Sequence, residues 1–255
     1  MLQNERQHKI LDELEIRHAV KVNELARQME TSESTIRRDI NELAQMGKLK
    51  KVFGGAVSLG RDDAFAVADV ASRNRRNVEE KTQIARYAAS LIEENDFVYL
   101  DAGTTSGRMI DFLDRKNVTY VTNGIAHACR LIERGFSAYM IGGLLRPSSE
   151  AVIGESAIEA VKRFNFTKCF MGAKGIDLER GFTTLDVSEA AVKTAVMQKS
   201  GKAFVLADHT KFNLISSVTF APLENVCIIT DLLEDPRYRK RTEIRETSNR
   251  REDRF

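Results

Sequence analysis

The sequence predicts an α/β protein with two domains, an N-terminal winged helix-turn-helix and a C-terminal domain with a mostly parallel sheet. Amphipathic helical segments and a basic stretch ending in glycines occupy residues 1–58, and from residue 97 onward strand-like apolar runs alternate with helices. Such alternation is typical of βα units that build a parallel sheet. The chain has 255 residues, of which 42% are hydrophobic, so two domains can each form a core.

The strongest helix prediction lies between Ser32 and Gly47. Ser32 can accept the backbone N–H bonds of the first turn, and Gly47 supplies the left-handed residue that commonly ends a helix. Ile36, Ile40 and Leu43 recur at i, i+4 and i+7, which gives one narrow apolar stripe. The rest of the helix carries polar groups of the types that bond to DNA bases or phosphates: Ser34, Thr35, Arg37, Arg38 and Asn41. Taken alone, this face also suits a solvated helix on a protein surface.

The neighbouring segments favour DNA binding. Two amphipathic helices come first, and the second, residues 22–29, ends two residues before the predicted cap. Helices separated by so short a turn are typical of a helix-turn-helix. Residues 49–52 then alternate apolar and basic side chains, and residues 53–56 (Phe-Gly-Gly-Ala) end the segment as a hairpin. This pattern predicts a β-wing that places Lys50 and Lys51 against phosphates of double-stranded DNA.

Composition argues against several other classes of protein. The formal net charge of +2 is too small for a chain that coats nucleic acid without selectivity. No apolar run approaches the ~20 residues of a membrane helix, and the charged N-terminus has no signal-peptide apolar segment. Three separated cysteines and four scattered histidines show no metal-binding spacing. We therefore expect a cytoplasmic protein with no membrane segment, no metal site and no cofactor.

Changes in composition set the domain boundaries. We assign residues 1–58 to the N-terminal domain, 59–77 to a linker without a sustained apolar period, and 78–231 to the C-terminal domain. Residues 232–255 mix acidic and basic side chains with almost no apolar ones, which predicts a frayed polar tail. The linker arginines are expected in a solvated loop or at an ion-paired helix start, with DNA contact as the alternative: Arg73, Arg75 and Arg76.

Five loops with small or polar residues follow the predicted strands of the C-terminal domain. Ligands of open α/β sheets bind beyond the C-terminal ends of the strands, and a glycine-rich turn that opens a helix suits a phosphate. Each loop alone is also consistent with an ordinary βα turn, but together the five predict a pocket for a phosphorylated small molecule. Its candidate residues are Asp101, Gly103, Thr104, Thr105, Thr122, Asn123, Gly124, Gly142, Gly143, Arg146, Lys174, Asp208 and Lys211. Neither GxxxxGK[ST] nor GxGxxG occurs, so nucleotide binding has little support.

The motifs resemble those of the DeoR family of bacterial sugar-catabolism repressors. The resemblance rests on residues 22–26 (VNELA), 34–39 (STIRRD) and 54–56 (GGA), and it extends along the chain to about residue 231. One departure is Phe53, where family members usually carry histidine. The resemblance implies a repressor of a sugar-utilisation operon that is released from its operator by a phosphorylated sugar.

The resemblance also implies a C-terminal domain similar to ribose-5-phosphate isomerase. It matches residues 101–105 to a phosphate loop, residues 122–124 to a second loop, and Lys193, Asp208 and Lys211 to later pocket positions. The segment at residues 99–105 is similar to repressors of fructose and lactose phosphotransferase operons, which favours fructose 1-phosphate or tagatose 6-phosphate. One small DNA-binding module contacts few bases, so a homodimer or homotetramer is expected.

Two other functions compete with this one. The first is a sugar-phosphate isomerase with an accessory DNA-binding module. Isomerases of this kind use an acidic pair in one loop beside a lysine, and the comparable loop here, residues 173–177 (AKGID), lacks the pair. We therefore assign no catalytic residue and expect no enzyme. The second is a DNA-packaging protein with sequence-blind binding, which the near-neutral charge disfavours.

Overall fold

The computed structural model describes residues 3–17, 19–52, 54–57 and 70–248. The chain divides into two compact units, Met1–Val67 and Ala68–Phe255. Phe53, residues 58–69 of the predicted linker and residues 249–255 of the predicted tail lie outside the described residues.

The N-terminal domain is a helix-turn-helix with a β-wing, as predicted. Its helices are α1 (Gln3–Arg17), α2 (Val22–Gln28) and α3 (Glu33–Gln45). Its strands are β1 (Ala19–Lys21), β2 (Lys50–Val52) and β3 (Gly55–Val57), which form an antiparallel sheet in the order β1-β3-β2. Strand β1 was not predicted. Because it pairs with β3, it joins the wing to the segment that opens α2.

Helix α3 follows the sequence prediction closely. The Ser32 hydroxyl accepts the N–H of Thr35 at 3.2 Å, which caps the first turn. Gly47 has φ +65°, the left-handed conformation expected after the helix. Ile36, Ile40 and Leu43 are buried in the core of the N-terminal domain. The stripe therefore fixes which face of α3 is left exposed.

A buried ion pair, which the sequence analysis missed, ties α3 to α1. The Arg6 guanidinium donates to both carboxylate oxygens of Asp39, at 2.6 Å and 3.1 Å. The hydrogen bond to Asp39 raises the pKa of Arg6 above its usual value, and Asp39 is 1% exposed. A bidentate pair of this kind adds geometric specificity as well as energy, so it fixes the rotation of α3.

The wing glycines have a steric cause. Gly55 faces β1 so closely that a Cβ atom there would lie 2.0 Å from the Val20 carbonyl oxygen. Gly54 has φ +77°, and its carbonyl accepts the N–H of Val22 at 2.9 Å. The glycine pair thus allows the wing to return against the start of α2.

The C-terminal domain is built on a seven-stranded sheet in which every neighbouring pair is parallel. In chain order its strands are β4 (Phe97–Leu100), β5 (Thr119–Thr122), β6 (Ser137–Met140), β9 (Phe166–Gly172), β12 (Ser200–Leu206), β14 (Val226–Thr230) and β15 (Glu243–Glu246). Their order across the sheet is β15-β14-β12-β9-β4-β5-β6. The predicted parallel α/β fold is confirmed.

Helices cover both faces of this sheet. They are α4 (Val70–Arg75), α5 (Val78–Ala89), α6 (Thr104–Met109), α7 (Ile125–Glu133), α8 (Glu155–Lys162) and α9 (Val187–Gln198). One core contains Ile84 of α5 and Val98 of β4, and the other contains Val192 of α9 and Tyr99 of β4. Successive residues of β4 therefore point into opposite cores, as expected for a central strand buried on both sides.

Two smaller sheets complete the domain, and neither was predicted. Strands β7 (Leu144–Arg146) and β8 (Ala151–Ile153) form a hairpin after β6. Strands β10 (Gly175–Asp177), β11 (Gly181–Thr184) and β13 (Val218–Ala221) form an antiparallel sheet. They are short, and their polar residues gave no clear alternation in the sequence.

The prediction of a frayed tail from residue 232 is wrong as far as the structure describes the chain. Strand β15 pairs in parallel with β14 at the edge of the main sheet. Tyr238 is fully buried, and its hydroxyl donates to the Ile176 carbonyl oxygen at 3.0 Å. Low hydrophobicity misled the prediction, because an edge strand has few side chains to bury.

The last part of the predicted linker contains a helix. Residues 70–75 form α4, and Asn77 adopts a left-handed conformation with φ +49°. The Asn77 side chain makes no cap bond to α5 and donates instead to Asp208. Within the four described segments, no helix is long and apolar enough to cross a membrane.

Candidate functional site

The exposed face of α3 carries most of the predicted DNA-binding residues. Ser34, Arg37, Arg38 and Asn41 are exposed, whereas Thr35 is half-buried beside the Ser32 hydroxyl at 2.8 Å. Arg37 pairs with Glu33 one turn earlier, at 3.1 Å. Arg38 and Asn41 have no side-chain partner in the described part of the chain. These two side chains are therefore the ones most available to base edges.

The wing presents its two predicted lysines to solvent. Lys50 and Lys51 are both exposed on β2, which is an edge strand of the small sheet. Neither lysine forms an ion pair with a described acidic residue. Two free ammonium groups beside a polar helix face suit contact with a phosphate backbone.

The C-terminal domain has a crevice where its strand order reverses. From β4 the chain builds outward through β5 and β6, and then returns to the other side of β4 with β9 and the later strands. The loops after β4 and β9 leave the sheet in different directions, and such a switch point is where open α/β sheets bind ligands. Asp101, directly after β4, and Gly172, at the end of β9, flank this switch point, and the region between their loops is called the crevice below.

A buried ion pair joins these two loops. The Lys193 ammonium donates to an Asp101 carboxylate oxygen at 2.5 Å and to the Gly172 carbonyl oxygen at 3.0 Å. The same Asp101 oxygen accepts the Gly172 N–H at 3.0 Å. Burial lowers the pKa of Lys193, but the charges of Asp101 and Glu189 more than offset it, so the pKa lies above its usual value. Asp101 and Lys193, both predicted site residues, therefore form a charged pair that joins the two loops.

The predicted phosphate loop and the residue after it contain three hydroxyl side chains, and one of them is already hydrogen-bonded within this segment. Ser106 is 1% exposed, and its hydroxyl donates to the Asp101 and Gly103 carbonyl oxygens. Thr104 and Thr105 make no side-chain hydrogen bond to another described residue. The loop therefore offers two threonine hydroxyls where α6 begins.

The second predicted loop has a supporting role. Asn123 is 1% exposed, and its Oδ1 accepts the Ala102 N–H at 2.8 Å. Thr122 is fully buried, and its hydroxyl accepts the Gly124 N–H at 3.1 Å. A Cβ atom on Gly124 would lie 3.0 Å from that of Ala102. Both side chains are enclosed and position the first loop, and direct effector contact by Thr122 and Asn123 stays a prediction.

The third predicted loop lies on the surface. Gly142 and Gly143 are exposed, and Arg146 forms an ion pair with Asp186, the residue that caps α9. Gly142 also lines a groove of about 590 Å³ against the edge strand β6. The lining of that groove contains one arginine and two glutamates but no lysine, so its charge does not suit an anion.

The crevice holds cations that the sequence analysis did not select. Burial lowers the pKa of Lys81 to about 8, and Asp208, Lys211, Arg108 and Arg73 act on it electrostatically. Lys81 falls on the apolar stripe of α5, three residues before Ile84 and seven before Ala88, and that position was a usable signal. A lysine on a buried stripe is costly unless a polar site receives it.

Two predicted lysines belong to the same cationic group. Burial, together with the charge of neighbouring Arg73, lowers the pKa of Lys174 to about 7. Lys211 acts electrostatically on both Lys174 and Lys81. Lys174 and Lys211 make no side-chain hydrogen bond to another described residue. The crevice therefore contains several positive charges held close together and incompletely paired.

Asp208 is an acidic group within this cluster, and it bonds to Asn77, the last residue of the predicted linker. It is 2% exposed and accepts from Asn77 Nδ2 at 3.0 Å. Burial raises its pKa, but Lys211, Thr210, Asn77 and Lys81 outweigh that effect, so the pKa is lowered. Asp208 is thus ionised at neutral pH and offsets part of the positive charge.

The isomerase alternative gains no acidic pair from the geometry. Asp177, the acid nearest in sequence to Lys174, accepts the N–H groups of Glu179 and Arg180, both at 2.9 Å. It therefore closes the turn between β10 and β11. Among the described residues, no group of three His, Cys, Asp or Glu could hold a metal ion.

Comparison with known proteins assigns both domains. Residues 6–61 match the DeoR-like helix-turn-helix domain, and residues 76–232 match the DeoR C terminal sensor domain. The chain belongs to the DeoR family of transcriptional regulators. The family resemblance seen in the sequence is therefore confirmed.

Several relatives match this chain over most of their own length. The uncharacterized regulator FruR of Bacillus subtilis is 42% identical over 92% of this chain and 93% of its own length. The regulator IolR of the same organism is 34% identical over 86% and 87%. The lactose phosphotransferase system repressor of Staphylococcus aureus is 29% identical over 89% and 93%. Ribose 5-phosphate isomerase of Plasmodium falciparum is similar over 52% of each chain, with 16% identity and a TM-score of 0.39.

The buried ion pair makes a direct prediction about stability. Asp101→Asn leaves the buried Lys193 ammonium with Glu189, 3.7 Å away, as its remaining carboxylate, so the free energy of unfolding should fall by up to about 3–5 kcal/mol. Chemical denaturation of the C-terminal domain measures this loss. Asp114→Asn is the matched control, because the Asp114 side chain is 77% exposed and the change there should stay within about 0.5 kcal/mol. Equal effects of the two substitutions would contradict the role given to Asp101.

Proposed function

We propose that this regulator is a repressor that binds the operator of a sugar-utilisation operon and is released by a phosphorylated sugar. It acts in the cytoplasm as a homodimer or homotetramer and catalyses no reaction. The observation that carries the proposal is the group of incompletely paired cations at the switch point of the parallel sheet. The reported names of FruR and of the lactose phosphotransferase system repressor support a regulator of sugar uptake.

The charge balance of the crevice supports an anionic effector. Asp101 and Glu189 are engaged with Lys193, and Asp186 is engaged with Arg146. Asp208 is then the acid left to face a larger set of cations: Arg73, Lys81, Arg108, Lys174 and Lys211. A dianionic phosphate would restore the balance, and the free hydroxyls of Thr104 and Thr105 add donors to it. Fructose 1-phosphate and tagatose 6-phosphate are the proposed effectors.

The experiment that tests this function measures operator release. A DNA duplex selected from a random pool by the full-length chain is titrated with the chain, with and without fructose 1-phosphate, tagatose 6-phosphate and ribose 5-phosphate. We expect one of the first two to weaken operator binding by about 5–150-fold, the usual range of allosteric coupling. Turnover of any of these sugars would overturn the proposal in favour of an isomerase.

A threonine in the first loop gives the matched variant for that experiment. Thr104→Val removes a hydroxyl at nearly constant volume, so operator affinity should stay unchanged while the sugar phosphate loses most of its effect. Thr219→Val, at the exposed position of β13, is the control and should behave as the wild type does. Normal release by the Thr104 variant would remove that hydroxyl from the site.

The two DNA-contacting elements should differ in what their loss does. Arg38→Ala should cost about 1–3 kcal/mol at the operator and relax base preference at one position, because Arg38 is free to reach base edges. Lys51→Ala, the contrasting variant, should weaken operator and random DNA alike and reduce the salt slope by about one. Binding titrations at several salt concentrations distinguish the two effects. If Arg38→Ala weakens both DNAs equally, Arg38 contacts phosphate and not bases.

Anion binding in the crevice should depend on pH. The pKa of Lys174 is about 7 and that of Lys81 about 8, so both lose their charge as the pH rises from about 6 to about 9. A bound anion favours the charged forms and is accompanied by proton uptake, so its affinity should fall by up to about tenfold per pH unit for each lysine above its pKa. Sulfate is the probe for calorimetry, because it does not titrate near neutral pH.

Replacement of one lysine by arginine isolates its share of that dependence. Lys174→Arg stays charged throughout, so the decline in sulfate affinity between about pH 7 and pH 8 should become shallower. Lys202→Arg, at an exposed position on β12, is the control and should keep the wild-type profile. A flat profile in the wild type would contradict the placement of the anion beside these lysines.

A further inference from the structure

Helix α4 is held in place by polar groups of the crevice. Lys81 Nζ donates to the Arg73 carbonyl oxygen at 2.6 Å, and Arg108 Nη2 donates to the Asn74 carbonyl oxygen at 2.9 Å. The Arg73 side chain in turn donates to the Ser148 carbonyl oxygen at 3.3 Å. Helix α4 has no buried residue of its own. Its position therefore depends on hydrogen bonds from three cationic side chains, and not on apolar packing.

The same cationic side chains lack some of the hydrogen bonds that they could donate. The Nε atoms of Arg73 and Arg108 are both buried without a hydrogen-bond partner. Lys81 is 6% exposed, and the hydrogen bond described for its ammonium is to a neutral carbonyl. A buried donor without a partner costs free energy, and an anion attracts a cation through a full opposite charge that a carbonyl oxygen lacks. An anion in the crevice would therefore compete well for these side chains.

Helix α5, which follows α4 in the chain, is anchored by apolar packing. Helix α5 buries Ile84, Ala85 and Ala88 against the main sheet, and these residues are fully buried. If Lys81 exchanged its bond to the Arg73 carbonyl oxygen for a bond to an anion, the apolar packing of α5 would remain intact. The six residues of α4 have no such support, so they belong to the part of the domain that opens most easily.

We propose that an anionic effector draws Lys81 and Arg108 away from the α4 carbonyl oxygens they contact and thereby releases α4. This inference rests on the proposed function and names how the crevice regulates DNA binding. Helix α4 is the first described element after the linker, so its release changes the segment that connects the effector domain to the DNA-binding domain. The coupling arises because the anion and the α4 carbonyls compete for the same donors.

Hydrogen exchange in the full-length chain tests this competition. The probes are fructose 1-phosphate, tagatose 6-phosphate and sulfate. We expect amides of residues 103–107 to exchange more slowly with an anion, and amides of residues 70–75 to exchange about fivefold faster or more. Slower exchange in the loop with unchanged or slower exchange in α4 would overturn the release of α4 while leaving the pocket standing. No change in either segment with any probe would instead refute the anion site itself, and with it the proposed function.

A substitution provides a test that needs no anion. Arg108→Gln removes the donor to the Asn74 carbonyl oxygen, so α4 should exchange faster and operator affinity should fall about fivefold or more without effector. Arg115→Gln makes the same chemical change at an exposed residue whose ion pair is with neighbouring Asp114, and it should match the wild type. If Arg108→Gln does not fold, as judged by its circular dichroism, Arg73→Gln removes the contact to Ser148 and replaces it. Wild-type exchange and wild-type operator affinity in the folded variant would overturn the inference.

Discussion

The crevice of the C-terminal domain depends on the buried ion pair between Asp101 and Lys193. Asp101 ends β4, and Lys193 projects from α9, so the pair joins elements that are far apart in the chain. Both groups also bond to the backbone of Gly172 at the end of β9. A buried pair with its remaining hydrogen bonds satisfied gives position more than stability. Here it fixes the two strand-end loops on either side of the switch point.

Both domains use their acidic side chains in the same way. In the N-terminal domain Asp39 is enclosed with Arg6, so the exposed face of α3 retains Arg38 without an acidic partner. In the C-terminal domain Asp101 and Glu189 pair with Lys193, and the neighbouring cations are left with Asp208. Each surface therefore presents positive charge to a ligand because its acids are engaged in the structure behind it. A chain with a net charge of +2 can in this way leave positive charge unpaired in two regions.

The periodicity of apolar residues and the polar residues at strand ends allowed much of this arrangement to be predicted. Contacts between residues far apart in the chain could not be predicted from the sequence. The buried strands and the capped helix α3 have strong local signals, so they were found. The positioning role of Asn123 was not predicted because its partners, Ala102 and Val152, are known only once the strands are assembled. Strand β15 was missed because an edge strand needs little hydrophobicity. Lys81 did have a signal, a lysine within an apolar stripe, and its meaning depends on the cations that the fold brings around it.

The central claim is that the crevice between the β4 and β9 loops is where an anion binds. A crystal of the full-length chain soaked in selenate, a phosphate mimic with an anomalous signal, tests it directly. The account predicts an anomalous peak within hydrogen-bond distance of the Thr104 and Thr105 hydroxyls and beside Lys81 or Lys174. Peaks only at exposed lysines, such as those of the wing, with none in the crevice, would contradict it.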